Sequence, residues 1–185
     1  MNWPNRLTLL RLLITMVLIA LLQFGPGADG GVRVRDALAA VLFLIAALSD
    51  WLDGWMARRY GLVTNFGKFL DPLVDKILVI GVLVVLVELG RIPAWGVDLI
   101  ILREFAVSGL RMLAAAEGRV IAAGAGGKLK TAVQLAAVFL LILTPDGGFG
   151  ALARGLFWVS VALTFLSGVQ YFLQNRTVLD TKGVR

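Results

Sequence analysis

Six long apolar segments alternate with short polar breaks along the 185 residues of the chain. A helix that crosses the roughly 30 Å hydrocarbon core of a bilayer needs about 20 mostly apolar residues, and most of the segments approach that length. The breaks between them are rich in Gly, Pro and Asp, which favour turns. The pattern predicts an all-α integral membrane protein, with six transmembrane helices in one bundle and a single domain over residues 1–185. The segments run from about 7 to 24, 37 to 59, 66 to 89, 94 to 116, 130 to 144 and 152 to 173.

Basic residues are divided unevenly between the two ends of these segments. An even number of spans places both termini on one side of the membrane. That side would carry Arg6, Arg58, Arg59, Lys68, Arg119, Lys128, Lys130, Arg176, Lys182 and Arg185, whereas the other would carry Arg33, Arg35, Arg91 and Arg154. Because Lys and Arg accumulate on cytoplasmic loops, we expect both termini in the cytoplasm of a multi-pass protein of the cytoplasmic membrane.

Composition agrees with a membrane protein and limits its chemistry. Hydrophobic residues make up 59% of the chain, charged residues only 16%, and the mean hydropathy is +0.87. The absence of Cys and His excludes disulfides, thiolate nucleophiles and the usual histidine base and zinc ligand. The net charge of +6 is explained by cytoplasmic loops and anionic lipid headgroups, so we predict no nucleic-acid partner.

Four aspartates interrupt the apolar pattern where the second and third segments meet. Asp50 and Asp53 are three residues apart, and Asp71 and Asp75 are four apart, so each pair shares a face of its helix. Two antiparallel helices joined by a short loop would bring all four carboxylates together. They cannot all stay ionised in a low dielectric, so they are either protonated or bound to divalent cations. Two divalent ions would balance four carboxylates, and oxygen ligands favour Mg²⁺, Mn²⁺ or Ca²⁺.

The residues around these aspartates favour a ligand site over isolated solvated acids. Gly54, Ala57 and Arg58 fall on the face of Asp50, and Gly67 lies one turn before Asp71. Small residues leave the helix surface open to a bulky ligand, and an arginine there is suited to phosphate oxygens. Any one aspartate alone would be interpreted as a solvated residue or a helix cap. The combined spacing instead predicts a metal and phosphate site at the cytoplasmic surface.

The pattern Asp50-x-x-Asp53-Gly54-x-x-Ala57-Arg58, followed by Gly67, Asp71 and Asp75, resembles the signature of the CDP-alcohol phosphotransferases at all eight positions. The resemblance implies six transmembrane helices, a homodimer and a pair of divalent cations, Mg²⁺ or Mn²⁺. It also implies transfer of a substituted phosphate from a CDP-linked donor to an alcohol, with release of CMP.

The same resemblance implies a role for each matching residue. The metals would be bound by Asp50, Asp53, Asp71 and Asp75, and Asp75 would also be the general base on the acceptor hydroxyl. The donor site would be lined by Asp50, Gly54, Ala57, Arg58, Gly67, Asn5 and Thr8. The last two belong to the segment "NWPNRLTLLR", which is similar to the opening of the phosphatidylglycerophosphate synthase branch of the family.

A second basic group indicates the acceptor. Arg103 and Arg111 are eight residues apart and share a face of the fourth segment, and Lys128 and Lys130 lie at the start of the fifth. The stretches "REFAVSGLR" and "GKLKT" also resemble the same branch. A basic cluster suits an acceptor that carries its own phosphate. The expected reaction therefore transfers the phosphatidyl group of CDP-diacylglycerol to sn-glycerol 3-phosphate.

Alternatives remain at this point. Arg103 could simply pair with Glu104, and the two lysines could serve only the positive-inside bias. The acceptor could be inositol phosphate, inositol or serine. A cation-coupled transporter would also place acids among helices, but such sites lie near the midplane between repeats, and no repeat is visible here. Gln170 stands where the branch resemblance expects an acid, and Lys76 has no assigned role.

Overall fold

The computed structural model describes the backbone of residues 3–25, 34–60, 65–116, 118–119, 121, 125–144 and 149–176. Of the residues in these ranges, it does not describe the side chains of 3–5, 50–60, 65–72 and 125. Within these ranges the chain forms six helices and no strand. They are α1 (Trp3–Phe24), α2 (Val34–Tyr60), α3 (Asn65–Glu88), α4 (Ala94–Ala116), α5 (Ala125–Leu143) and α6 (Gly150–Gln174). The predicted all-α class and the six helical segments are confirmed, although α5 begins five residues earlier than expected.

Three stretches among the described residues are long and apolar enough to cross a membrane, namely Arg6–Phe24, Gly126–Leu143 and Gly150–Gln174. The outward surfaces of α1 and α6 are covered with exposed apolar side chains, including Leu13, Met16, Phe165 and Leu166. Contiguous apolar surface of this kind is suited to lipid rather than water. The chain is therefore a helical membrane protein.

Contacts between residues divide the chain into two units. The first unit comprises Met1–Ile92 and Val138–Arg154, and the second comprises Pro93–Ala137 and Gly155–Arg185.

In the first unit, α1 and α3 pack side by side over most of their length. Gly81 of α3 admits the side chain of Ile19, whose Cδ1 lies 2.7 Å from the position that a Cβ at residue 81 would take. Gln23 donates a hydrogen bond to Glu88 over 2.9 Å. The contacts pair residues whose numbers rise together, so the two helices are parallel. The buried side chains that stabilise this unit include Leu18, Leu22, Phe43, Val82, Leu83 and Leu86.

In the second unit, α4 and α6 are related in the same way. Gly96 of α4 lies under the ring of Phe157, which comes within 2.8 Å of the position of a Cβ there. Further along, Val107, Leu110 and Ala114 of α4 pack against Tyr171 of α6. Residue numbers again rise together, so these helices are also parallel.

Glycines end α3 and α4 by the same mechanism. Gly90 and Gly118 have φ angles of 70° and 72°, in the left-handed region where a side chain is strained. Each is followed by an arginine whose N–H bonds back to the fifth residue before it, Arg91 to Leu86 and Arg119 to Ala114. This is the Schellman arrangement, which satisfies the last carbonyls of a helix.

The first unit also contains a buried ionic group, here named the Asp36 cluster, made of Asp36, Arg35 and Arg91. The Asp36 side chain is fully buried, and its Oδ1 accepts hydrogen bonds from Arg35 Nε at 3.3 Å and Arg91 Nη2 at 3.0 Å. Arg91 Nη1 also donates to the backbone carbonyls of Leu141 and Ile142, both at 3.0 Å. Because those carbonyls lie in the last turn of α5, the cluster caps that helix.

Candidate active site

Asp75, the predicted base and metal ligand, is paired with Arg11 of α1. Arg11 Nη1 donates to Asp75 Oδ1 over 2.6 Å; the arginine side chain is 1% exposed and the aspartate side chain 44%. The backbone carbonyl of Arg11 accepts a hydrogen bond from Thr15 Oγ1 at 2.8 Å, which adds to the order of this helical turn. Charge-assisted bonds of this length are strong and directional. The pair therefore fixes the orientation of the Asp75 carboxylate while much of it stays open to a ligand.

The other three predicted metal ligands are described only through their backbone. Asp50 and Asp53 lie in α2, and Asp71 lies in α3 together with Asp75. Their helical backbone confirms that each pair shares a helix face, whereas the side chains of Asp50, Asp53 and Asp71 lie outside the described part of the structure. No group of three possible metal ligands occurs among the described side chains. The chemistry of the set fits a hard divalent cation, since carboxylate oxygens are what Mg²⁺ and Mn²⁺ prefer.

Most of the predicted donor-site residues also fall outside the described side chains, namely Asn5, Gly54, Ala57, Arg58 and Gly67. Thr8 is described. It is buried on α1, three residues before Arg11, so it shares the face that carries the partner of Asp75.

A cavity of about 340 Å³ opens in the second unit, and three of the four predicted acceptor-binding residues line it. This cationic cavity, as it is named here, is lined by the side chains of Arg103, Arg111, Lys130, Glu104, Ser167 and Tyr171, among others. Three of these are cationic and one is anionic, which gives the described lining a net formal charge of +2. A cavity with this size and charge suits a small phosphorylated molecule.

Arg103 lies in the wall of the cationic cavity and contacts its own helix and α6. Its Nη1 donates to Glu104 Oε1 at 3.2 Å, and its Nη2 donates to Ser167 Oγ at 3.1 Å. Its Nε is buried and has no hydrogen-bond partner among the described residues. Glu104 Oε1 also accepts a hydrogen bond from Lys130 Nζ, so one carboxylate oxygen binds two cations. Arg103 therefore does pair with Glu104, as the alternative to an anion site expected. The same pair lies in a cavity that Arg111 and Lys130 also line.

Arg111 is positioned by Tyr171 of α6. Its Nε donates to the tyrosine hydroxyl at 3.0 Å, and its guanidinium lies 5.3 Å from the centre of the tyrosine ring. A guanidinium over an aromatic face gains a cation–π interaction and keeps other donors available. Lys128 is exposed and does not line the cationic cavity, so its predicted role stays a prediction.

An apolar groove of about 300 Å³ adjoins the same arginine. It is lined by Arg103 and Gly168 together with Leu102, Phe165, Phe172 and Leu173, among others. A Cβ at residue 168 would lie 2.8 Å from Arg103 Cγ, so the glycine leaves room for the arginine stem. Arg103 thus has its aliphatic part beside apolar surface and its guanidinium in the polar cavity.

Sequence reasoning missed the functional contacts of Arg11, Glu104, Ser167 and Tyr171. Arg11 was quoted as part of the N-terminal motif, but nothing in the sequence pairs it with a residue 64 positions away. Glu104 was treated only as a neighbour of Arg103, and its bond to Lys130 joins two helices. Ser167 and Tyr171 lie in the segment "SGVQY", whose Gln170 the branch resemblance had singled out, and that segment was the available signal for both.

Helices apolar enough to cross a bilayer, a positioned carboxylate and a cationic cavity together define a membrane enzyme that acts on phosphorylated substrates. Residues 1–166 match the family model described as CDP-alcohol phosphatidyltransferase. The chain belongs to this family of transferases, and the predicted family is confirmed.

Curated relatives match along nearly the whole chain. The CDP-diacylglycerol–glycerol-3-phosphate 3-phosphatidyltransferase of Bacillus subtilis is 44% identical, over 98% of this chain and 99% of its own. A probable phosphatidylglycerophosphate synthase of Mycobacterium tuberculosis is 39% identical, over 100% of this chain and 85% of its own. The Rickettsia typhi protein of the same name as the Bacillus subtilis one is 34% identical, over 95% of this chain and 98% of its own. These names match the reaction that the sequence predicts.

Proposed function

We propose that this protein transfers the phosphatidyl group of CDP-diacylglycerol to sn-glycerol 3-phosphate, giving phosphatidylglycerophosphate and CMP for phospholipid biosynthesis. The observation that carries the choice of acceptor is the cationic cavity, which holds three basic side chains in about 340 Å³. An acceptor without a phosphate, such as serine or inositol, has no need of them. The names of the Bacillus subtilis and Rickettsia typhi relatives support the same acceptor.

In this proposal the cavity binds the phosphate of the acceptor. Arg103 and Lys130 are largely buried, with 15% and 7% of their side chains exposed, so their charges are little screened by water. Arg111 adds a third cation, oriented by Tyr171. Planar guanidinium groups bind phosphate oxygens in pairs, which fixes the acceptor's orientation as well as its affinity.

Asp75 accepts the proton of the acceptor's primary hydroxyl. The hydroxyl oxygen then forms a bond to the phosphorus attached to diacylglycerol, the bond from that phosphorus to the oxygen of CMP breaks, and CMP leaves with the electron pair. Arg11 orients the Asp75 carboxylate for this role through its 2.6 Å bond. A base needs to be within hydrogen-bond reach of the proton that it removes, and an oriented carboxylate with 44% of its surface open meets that need.

Two divalent cations, Mg²⁺ or Mn²⁺, would be bound by Asp50, Asp53, Asp71 and Asp75, and would stabilise charge on the transferred phosphoryl group and the leaving oxygen. Asp50, Gly54, Ala57, Arg58 and Gly67 line the cytidine diphosphate site in the proposal, with Asn5 and Thr8. Arg58 would bind diphosphate oxygens, and the small residues would let the diphosphate approach the helix surface.

The proposal also includes a membrane arrangement. All six helices cross the bilayer as a single domain, both termini lie in the cytoplasm, and the active site faces the cytoplasm. The uneven distribution of Lys and Arg supports this orientation. The protein functions as a homodimer, as the family resemblance implies.

An acceptor competition assay tests the function. Purified protein in detergent with Mg²⁺ is given CDP-diacylglycerol and, in separate reactions, sn-glycerol 3-phosphate, inositol phosphate, inositol or serine, and CMP release is measured. Of the four acceptors, we expect only sn-glycerol 3-phosphate to elicit CMP release. In Asp75→Asn the rate of this release should fall by at least about a thousandfold. Asp98→Asn is the matched control, because Asp98 is exposed on α4. Release with inositol phosphate but not glycerol 3-phosphate would reject the acceptor. If none of the four acceptors elicits CMP release, the proposed activity is rejected.

A further inference from the structure

Glu104 binds the two cations that the proposed function gives to the acceptor's phosphate. Its Oε1 accepts from both Arg103 Nη1 and Lys130 Nζ, and all three residues line the cationic cavity. In the structure, donors that would contact a phosphate therefore contact a carboxylate of this chain. The carboxylate lies on the neighbour of Arg103 in sequence and reaches Lys130 of another helix, 26 positions away.

We propose that Glu104 is an exchangeable counter-ion: it neutralises Arg103 and Lys130 while the cavity is empty and gives them up when a phosphate binds. The inference rests on the proposed acceptor site and adds a residue that competes with the ligand. Its consequence is that Glu104 lowers the affinity of the cavity for phosphate instead of raising it.

Two energetic terms act in the same direction. A buried cation without a counter-ion costs several kcal/mol, so Glu104 stabilises the empty cavity. A phosphate that enters must take donors from Glu104 and lie near a like charge, which is unfavourable. Both terms reduce the free energy gained on binding.

The cavity retains binding capacity beyond Glu104. Arg103 Nε is buried and has no hydrogen-bond partner in the described part of the chain, although the same guanidinium already donates to Glu104 and Ser167. A buried donor without a partner is costly, and a phosphate oxygen would satisfy it. The guanidinium therefore has a reason to exchange its carboxylate for a ligand with more acceptor oxygens.

Exchange also serves product release. The phosphate of the acceptor remains on the product, because the reaction joins the phosphatidyl group to the hydroxyl at the other end of the molecule. The product must therefore leave the same cations that bound the acceptor. A carboxylate that returns to Arg103 and Lys130 compensates them as the product departs, so the cavity need not pass through a state with bare buried charges.

The test compares Glu104→Gln with the wild type in steady-state kinetics and thermal unfolding. Gln keeps the size and an acceptor oxygen but removes the charge. We expect the KM for sn-glycerol 3-phosphate to fall about tenfold, equivalent to ~1.4 kcal/mol, with no rise in kcat. Glu104→Asp, which restores the charge, returns KM toward the wild-type value. Glu88→Gln is the matched control outside the cavity, because Glu88 is exposed and bonded to Gln23.

The second measurement needs no turnover. Without phosphate, Glu104→Gln unfolds at a lower temperature than the wild type, and added inorganic phosphate raises its unfolding temperature by more than it raises that of the wild type. A merely structural role would lower the temperature in both conditions equally.

A higher KM in Glu104→Gln, or equal phosphate stabilisation of the two proteins, would overturn the inference and make Glu104 a scaffold residue. Absence of any phosphate effect on either protein would overturn it too. If the wild type releases no CMP with glycerol 3-phosphate, the proposed acceptor fails, but the phosphate stabilisation still decides the role of Glu104.

Discussion

The two units each contain two cations around one carboxylate, yet the two groups differ in what surrounds them. In the Asp36 cluster, Arg91 Nη1 donates to two backbone carbonyls in the last turn of α5. Arg35 Nη1 donates to the backbone carbonyl of Gly25 at 3.4 Å. None of the three residues of that cluster lines either cavity described above. In the cationic cavity, Arg103 and Lys130 share Glu104 beside open space.

The difference shows that charge composition does not separate a structural site from a binding site. The Asp36 cluster is buried and the group of Arg103, Glu104 and Lys130 is largely buried. Both groups are net cationic, and both join segments that are distant in sequence. Two features distinguish the groups: the open cavity beside Arg103 and Lys130, and the acceptors to which the arginines donate. The arginines of the Asp36 cluster also donate to backbone carbonyls, which are fixed in place. The Glu104 carboxylate belongs to a side chain beside open space and can rotate away from Arg103 and Lys130.

Among the variants that test this comparison, the largest effect is expected for Lys130→Met. Loss of a largely buried cation that binds the acceptor's phosphate should lower kcat/KM for sn-glycerol 3-phosphate by about a thousandfold, equivalent to ~4 kcal/mol. Steady-state CMP release measures it. Lys128→Met should change kcat/KM by less than about threefold, because an exposed charge outside the cavity is screened by solvent. Equal losses of kcat/KM in both variants would support the prediction that Lys128 also binds the phosphate, and would show that the cavity lining does not identify the binding residues.

Asp36→Asn tests the structural side of the comparison. Arg35 and Arg91 would stay buried without a counter-ion, so we expect a loss of about 3 kcal/mol in the free energy of unfolding. Chemical unfolding in detergent micelles measures it. The folded fraction should keep its KM for glycerol 3-phosphate within about twofold, since Asp36, Arg35 and Arg91 do not line the cationic cavity and share no described partner with it. A large rise in KM with unchanged stability would assign the Asp36 cluster a part in substrate binding.

A smaller effect is expected for Arg111→Gln. Arg111 is exposed, so its contact with phosphate is partly screened, and KM should rise about tenfold with little change in stability. Tyr171→Phe removes only the hydroxyl that accepts from Arg111 Nε and keeps the ring, so its effect on KM should be smaller still. If Tyr171→Phe has the greater effect on KM, the tyrosine hydroxyl itself contacts the acceptor.

Much of the fold could be predicted because helix period, length and breakers are local properties. The third segment was predicted to end near residue 89, and Gly90 ends α3 there through a left-handed backbone that other residues rarely adopt. The start of α5 was placed too late, since Gly126 and Gly127 resemble a break by propensity although both lie inside the helix.

The site was only partly predictable, for a different physical reason. Spacing within one helix shows which residues share a face, and this correctly grouped Arg103 with Arg111. It cannot show which residue on another helix will face them. The partners that matter, Arg11 for Asp75 and Lys130 for Glu104, are separated by 64 and 26 positions. Such pairings depend on the packing of whole helices, which no local pattern encodes.

The parallel contact of α1 and α3 has a consequence for where chemistry happens in the bilayer. Arg11–Asp75, Ile19–Gly81 and Gln23–Glu88 join the two helices at three heights. Sliding one helix by a single residue would displace it by about 1.5 Å and break all three contacts at once. The position of the Asp75 carboxylate relative to α1 is therefore set partly by contacts far along the two helices. A bulkier residue at position 81 would shift that position without touching a reacting atom.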